Sequence, residues 1–162
     1  MSYSIRKIQE QDNAAVARMI REVFEEHGAP TCGTVYSDPT TDTLFEVFQR
    51  DQSVYFVALV GERIVGGCGI YPTNGLPDGY AELVKFYLSA DARGKGIGRE
   101  LMEKSFEAAE KMGYQYLYLE SLPVFDKAVR IYEKQGFKRL EEPLSTEHPG
   151  CNLWFVKGLE GN

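Results

Sequence analysis

The 162-residue sequence has no run of about 18 apolar residues, the length needed for a membrane-crossing helix. Its opening, MSYSIRKIQEQD, lacks the apolar core of a secretory signal. These two absences lead to the expectation of a cytoplasmic protein with no membrane partner. Cysteine is scarce: Cys32, Cys68 and Cys151 are odd in number and far apart, which excludes a disulfide framework and suits a reducing compartment. Histidine is scarcer, with His27 and His148 alone. His148 and Cys151 lie close together in EHPGCNLWF, but with no further Cys or His nearby they do not complete a zinc site, and no metal is expected. As a nucleophile pair they would imply a covalent intermediate, whereas a buried cysteine on a late strand and a turn histidine account for them more simply. Positive charge is also in deficit, with 18 Lys and Arg against 24 Asp and Glu. A surface of that balance repels nucleic acid, so none is expected as a partner.

What is present is an ordinary globular composition, 43% hydrophobic and 26% charged, in a chain long enough to bury a core as a single domain over residues 1–162. Strand-like and helix-like stretches alternate, which indicates an α/β fold. YSIRKI (Tyr3 to Ile8) alternates as a strand. Asp12 is placed to cap a helix whose Val16, Ala17, Ile20, Val23 and Phe24 share one face. After a loop rich in Gly, Pro, Ser and Thr, Asp42 is placed to cap a short second helix with Leu44, Phe45 and Phe48. SVYFVALV and RIVGGCGIY form a hairpin around Gly61 and Glu62, and YAELVKFYL (Tyr80 to Leu88) is a further strand. A helix from Ile97 carries Leu101, Ala108, Ala109 and Met112 and ends at Gly113. YQYLYLES, a helix around FDKAVRIYEKQ, and the strands GFKRL and CNLWFVKGL complete the pattern.

The stretch LSADARGKGIGRELMEK (Leu88 to Lys104) is a strand end, a glycine-rich turn and a helix start. Free backbone N–H groups and the positive end of a helix dipole make such a turn an anion site. A dinucleotide fingerprint requires a glycine three residues after its second one, but the residue there is Arg99 counting from Gly96 and Leu101 counting from Gly98. A Walker loop requires Ser or Thr after Gly-Lys, but Gly94 and Lys95 precede Gly96.

What remains, Arg93-x-x-Gly96-x-Gly98, resembles the pyrophosphate-binding turn of the GNAT N-acetyltransferases. The resemblance extends to AVRIYEKQGF (Ala128 to Phe137), with Ala128, Tyr132, Gly136 and Phe137 matching the family's second cofactor segment. It implies a GNAT-like fold, a central mixed but mostly antiparallel twisted sheet of six or seven strands flanked by about four helices. It also implies acetyl-coenzyme A as cosubstrate and transfer of its acetyl group to a primary amine of a small molecule, an amino acid or a protein. A non-catalytic acyl-coenzyme A sensor, or transfer of another acyl group, stays open beside it.

By the same resemblance the cofactor residues are Phe86, Leu88, Arg93, Gly94, Lys95, Gly96, Ile97, Gly98 and Arg99, with the Leu88 N–H as oxyanion donor. Arg130 and Lys134 are weaker candidates for the 3′-phosphate. Tyr132 is implied as the proton donor to the coenzyme A sulfur, and Glu82 as the general base, with Glu120 the weaker choice. Glu82 lies six residues before Leu88 on one strand, so the two share a face unless a bulge intervenes. The chain departs from the family at Phe125, where many members have an asparagine that bonds to the pantetheine arm. The segment with His148, Gly150, Cys151 and Trp154 resembles one in members sometimes fused to winged-helix regulators. The resemblance implies an acceptor site formed by the first two helices and the loop between them, Phe24 to Leu44, together with the late strands, and a homodimer, frequent in the family, is allowed.

Overall fold

A computed structural model describes residues 2–145 and 150–159, so His148 lies outside the described residues. Seven strands form one mixed sheet in the order β1-β2-β3-β4-β5-β7-β6. They are β1 (Ser4–Lys7), β2 (Val54–Val60), β3 (Arg63–Tyr71), β4 (Tyr80–Leu88), β5 (Tyr116–Ser121), β6 (Lys138–Leu140) and β7 (Leu153–Gly158). Only β4 and β5 pair in parallel; every other neighbouring pair is antiparallel. Four α-helices cover it: α1 (Asn13–Glu26), α2 (Leu44–Val47), α3 (Ile97–Lys111) and α4 (Asp126–Lys134). The α/β architecture, the mostly antiparallel mixed sheet and the four helices match the expectation drawn from the resemblance.

The sheet separates two apolar clusters. On one face the α1 residues Val16, Ile20, Val23 and Phe24 pack with Leu44, Phe48 and Tyr55. On the other, Ile97, Leu101, Met102 and Ala109 of α3 pack with Ala81, Leu83, Phe86 and Leu88. The helical spacing seen in the sequence is thus the spacing of buried side chains, whose removal from water drives the packing.

Two helix starts differ from expectation. Asp12 stands at the N-terminal boundary of α1 without a capping bond; its carboxylate instead accepts the Gln9 N–H at 2.7 Å and pairs with Arg6 at 2.7 Å. Asp42 takes a bidentate bond from Arg21 at 2.6 and 3.0 Å, while Asp38 accepts the Thr40 N–H at 2.9 Å. In both places a 3-10 turn already precedes the residue, starting at Glu10 and at Pro39, so the start falls to Gln9 and Asp38 and the later carboxylate is left to an arginine from another segment.

Two features of β4 shape the site. The β4–β5 ladder holds only at Tyr80↔Tyr116, Ala81↔Leu117 and Glu82↔Tyr118. Beyond it β4 follows β3 as far as Leu88↔Gly66 while β5 follows β7 as far as Ser121↔Leu153, and a cleft opens between them. The second feature is a bulge. Gly67 faces Tyr87 and Gly69 faces Val84, so Lys85 and Phe86 together oppose Cys68, with Lys85 at a φ of 54°.

Candidate active site in the cleft between β4 and β5

The bulge adds one residue to β4, which reverses the alternation beyond it. Ala81 and Leu83 before the bulge, and Phe86 and Leu88 after it, all belong to the α3 side. Val84 and Tyr87 belong to the α1 side. Glu82 therefore shares a face with Tyr87 and not with Leu88, the exception the sequence reading had allowed. On β5, Leu117 and Leu119 face α3, which turns Tyr118 and Glu120 to the side of Glu82.

The cleft has a volume of about 330 Å³. Of the residues singled out in the sequence it brings together Glu82, Phe86, Leu88, Arg93, Gly94, Glu120, Arg130, Tyr132 and Lys134. Lys95, Gly96, Ile97, Gly98 and Arg99 lie outside its lining, in the turn and the first residues of α3. Ile97 is 1% exposed, and its side chain belongs to the core. Lys95 donates to the Asp91 carbonyl at 2.7 Å, and the exposed Arg99 lies 3.9 Å from Glu103.

The turn has the form an anion requires. Gly94 and Gly96 take φ of 76° and 81°, where a side chain is strained, and no atom lies within 4 Å of where either Cβ would stand. The first intrahelical bond of α3 runs from the Glu100 N–H to the Gly96 carbonyl at 3.1 Å, leaving the preceding N–H groups without a helical acceptor. Gly98 serves a different end. A Cβ there would come within 2.9 Å of Leu88 Cδ1, so glycine lets α3 start directly against β4.

The Ser89 N–H donates to the Val65 carbonyl at 2.8 Å on the β3 side. Antiparallel alternation then turns the N–H and C=O of Leu88 toward the cleft. The Leu88 carbonyl accepts from Arg93 at 2.9 Å, and the same guanidinium binds the Glu26 carboxylate at 2.6 and 2.9 Å. That bond holds the Glu26 carboxyl below its ordinary range. Glu26 gave no signal in the sequence, because only the fold carries the end of α1 to the turn.

Glu82 is buried, and its Oε1 accepts the Thr73 hydroxyl at 2.7 Å. Glu120 accepts the Tyr118 hydroxyl at 2.7 Å, and that hydroxyl accepts the Leu144 N–H at 3.1 Å. Tyr132 is 6% exposed and packs edge-on against Phe86 and Phe137, with ring centroids 5.8 and 6.0 Å away. Burial, then Cys68 and Cys151, push its phenol far above the ordinary value, against the Ser121 hydroxyl, so it remains protonated at neutral pH. Burial, then Glu120 and Glu82, push the Cys151 thiol up to about 12. Cys151 is therefore a neutral thiol, and a thiolate nucleophile finds no support there.

The arrangement joins an anion cradle, an open strand edge, a neutral acid and two carboxylates in one cleft. A family model described as the acetyltransferase (GNAT) family matches residues 16–137. The chain belongs to the GNAT acetyltransferase family. As a GNAT protein it is an acetyl-coenzyme A-dependent acyltransferase. It is 34% identical to the uncharacterized N-acetyltransferase YjgM of Escherichia coli K12 over 157 residues, covering 96% of this chain and 94% of that protein. It is 34% identical to N-acetyltransferase 8B of Rattus norvegicus over 109 residues, 66% of this chain and 47% of the rat protein. A GNAT-family acetyltransferase from Staphylococcus aureus Mu50 shares the fold with a TM-score of 0.85 at 17% identity, covering 98% of this chain and all of that one. The PaiA N-acetyltransferase of Thermoplasma acidophilum, solved with coenzyme A, shares it with a TM-score of 0.78 at 20% identity, over 98% of this chain and 99% of that one. Among the described residues no group of three or more His, Cys, Asp or Glu side chains is placed to hold a metal ion, and no helix is long and apolar enough to cross a membrane.

Proposed function

We propose that this chain, as one domain over residues 1–162, transfers the acetyl group of acetyl-coenzyme A to a primary amine by direct attack in a ternary complex. The observation that carries the reading is the join of turn and cleft: Gly94 and Gly96 leave open space over the start of α3, and the splayed β4 edge runs from that point to Glu82. Arg93, the turn from Gly94 to Gly98, and the N–H groups of Ile97, Gly98 and Arg99 hold the pyrophosphate, with Lys95 beside them. Arg130 and Lys134 add positive charge along α4. Phe86 and Leu88 carry the open strand edge, and the Leu88 N–H bonds to the thioester oxygen as negative charge develops on it.

The bond changes balance within the cleft. The amine arrives as an ammonium ion, and Glu82 takes one proton from it. The freed nitrogen attacks the thioester carbon, a C–N bond forms and the C–S bond breaks. As the amide forms the nitrogen loses its second proton to solvent, Tyr132 gives its proton to the departing sulfur, and solvent returns one proton to Tyr132 and takes one from Glu82. Thr73 positions Glu82 for this by its hydroxyl bond.

The test is calorimetric titration with acetyl-coenzyme A, paired with thiol release in the presence of an amine panel. Micromolar binding that an Arg93→Ala, Gly96→Ala double variant loses, with turnover lowered at least tenfold in Tyr132→Phe, is the expected result. Absence of binding by the intact protein would overturn the reading. Binding with no turnover of any amine would make it an acyl-coenzyme A-binding module.

A further inference from the structure

The cleft is divided by chemistry. Apart from Lys85, which stands in the bulge, its cations are Arg93 at the turn and Lys127, Arg130 and Lys134 on α4. Its carboxylates, Glu82 and Glu120, are on the α1 face of the sheet, at Cα positions offset by two residues on neighbouring parallel strands. The same face carries an aromatic wall. Phe24 lies 5.6 Å from Tyr87 and 5.2 Å from Phe125 between ring centroids, and Tyr87 lies 6.0 Å from Phe125.

Phe125 reaches this wall from the start of α4. Its neighbours on that helix pack with the α3 side, yet Phe125 belongs to the α1 cluster and meets His27 at 5.3 Å. It therefore joins the lining of the cleft to the α1 cluster. The bulge completes the wall, because without the extra residue Tyr87 would point toward α3.

Resting on the transferase reading above, we propose that the acceptor is a small primary amine on an aromatic or similarly apolar body, with no carboxylate beside the amine. Its ammonium group enters between Glu82 and Glu120, and its body lies on Phe24, Tyr87 and Phe125. Two carboxylates attract a cation and repel an α-carboxylate, while ring faces favour both a ring and an ammonium ion. Burial first, and after it Glu120 and Glu82, raise the thiol of Cys151, which lines the same cleft.

The experiment compares phenethylamine, phenylalanine, hexylamine and spermidine as acceptors by thiol release, with acetyl-coenzyme A binding measured on the same protein by calorimetry. Phenethylamine and phenylalanine share a body and differ by the carboxylate, so their ratio isolates it. Expected is a kcat/KM for phenethylamine at least tenfold above both phenylalanine and spermidine, with hexylamine between. In Glu120→Gln the KM for phenethylamine rises about tenfold while the affinity for acetyl-coenzyme A is kept, a split that general unfolding does not produce. Equal or better use of phenylalanine or spermidine overturns the inference, as does bound acetyl-coenzyme A with no acetylation of phenethylamine. Failure to bind acetyl-coenzyme A at all overturns instead the transferase reading beneath it.

Discussion

The Tyr55 hydroxyl of β2 donates to the Lys85 carbonyl of β4 at 2.8 Å, reaching across β3 to the one bulged position of the strand. Gly67 and Gly69 of β3 make room for the ring; a Cβ on Gly69 would stand 2.6 Å from Tyr55 Cδ1, and one on Gly67 would overlap the phenol itself. The bulge that aims Glu82, Tyr87 and Leu88 is thus tied to a buried tyrosine two strands away. Tyr55→Phe removes this hydrogen bond, and a bond of this kind contributes about 0.5–1.5 kcal/mol. The expected outcome is a lower denaturation midpoint together with a fall in turnover. A Tyr55→Phe protein of unchanged turnover would show that the bulge holds its shape without the bond.

Gly98 and Gly96 fail for different reasons when replaced by alanine. At Gly98 the new Cβ meets Leu88 Cδ1 at 2.9 Å and Phe86 Cζ at 3.1 Å, so α3 must shift from β4. Overpacking of this kind costs about 1–3 kcal/mol. At Gly96 there is space, and the penalty is the left-handed φ of 81°. A non-glycine residue held there costs on the order of 1–3 kcal/mol. Gly98→Ala is expected to weaken acetyl-coenzyme A binding tenfold or more by calorimetry, and Gly96→Ala to do so while leaving the packing of Leu88 and Phe86 unchanged by NMR.

Much of this was legible in the sequence. The glycine spacing from Arg93 to Gly98 and the tyrosine at 132 are local signals, and the fold puts Arg93 and Tyr132 in the lining of one cleft. The bulge was not legible, because its left-handed residue is Lys85, where no glycine marks the backbone. Glu26 was hidden for another reason: its meeting with Arg93 spans 67 positions and exists only after folding. The capping roles read for Asp12 and Asp42 failed because the 3-10 turns that start at Glu10 and at Pro39 lie out of view of a helix-start pattern.

The pair between Arg93 and Glu26 opposes the proposed cofactor. A guanidinium that turns toward pyrophosphate must release or share its carboxylate partner, which is itself partly exposed. Glu26→Gln removes the negative charge and keeps the size. Acetyl-coenzyme A should then bind several-fold more tightly, with a stronger dependence on salt, because Arg93 no longer exchanges one ion pair for another. Calorimetry at two ionic strengths measures both, and weaker binding in the variant would show that Glu26 instead holds Arg93 ready.

Acid should undo the start of α1. Burial raises the Asp12 carboxyl, but the bonds from Arg6 and from the Gln9 N–H overcome it and leave the folded value below the ordinary 3.8. A carboxylate depressed on folding stabilises the protein above its unfolded pKa, and that contribution fades as pH falls through the folded one. Asp12→Asn should therefore lower the denaturation midpoint at pH 7. The difference from the wild type should shrink once pH drops below about 4, the usual aspartate range. Denaturant titrations at several pH values test the sign.

Cys151 gives the last prediction, since it separates direct transfer from a relay through the enzyme. With the thiol raised to about 12 by burial and by Glu120 and Glu82, almost none of it is thiolate at neutral pH. An acetyl group passed through Cys151 would need that thiolate as the attacking species. Mixing the protein with acetyl-coenzyme A in the absence of an amine should leave its intact mass unchanged. Alkylation at pH 7 should mark the exposed Cys32 before Cys151. An acetyl adduct mapped to Cys151 would replace the ternary complex with a two-step reaction, and the double-reciprocal plots against the two substrates would become parallel rather than intersecting.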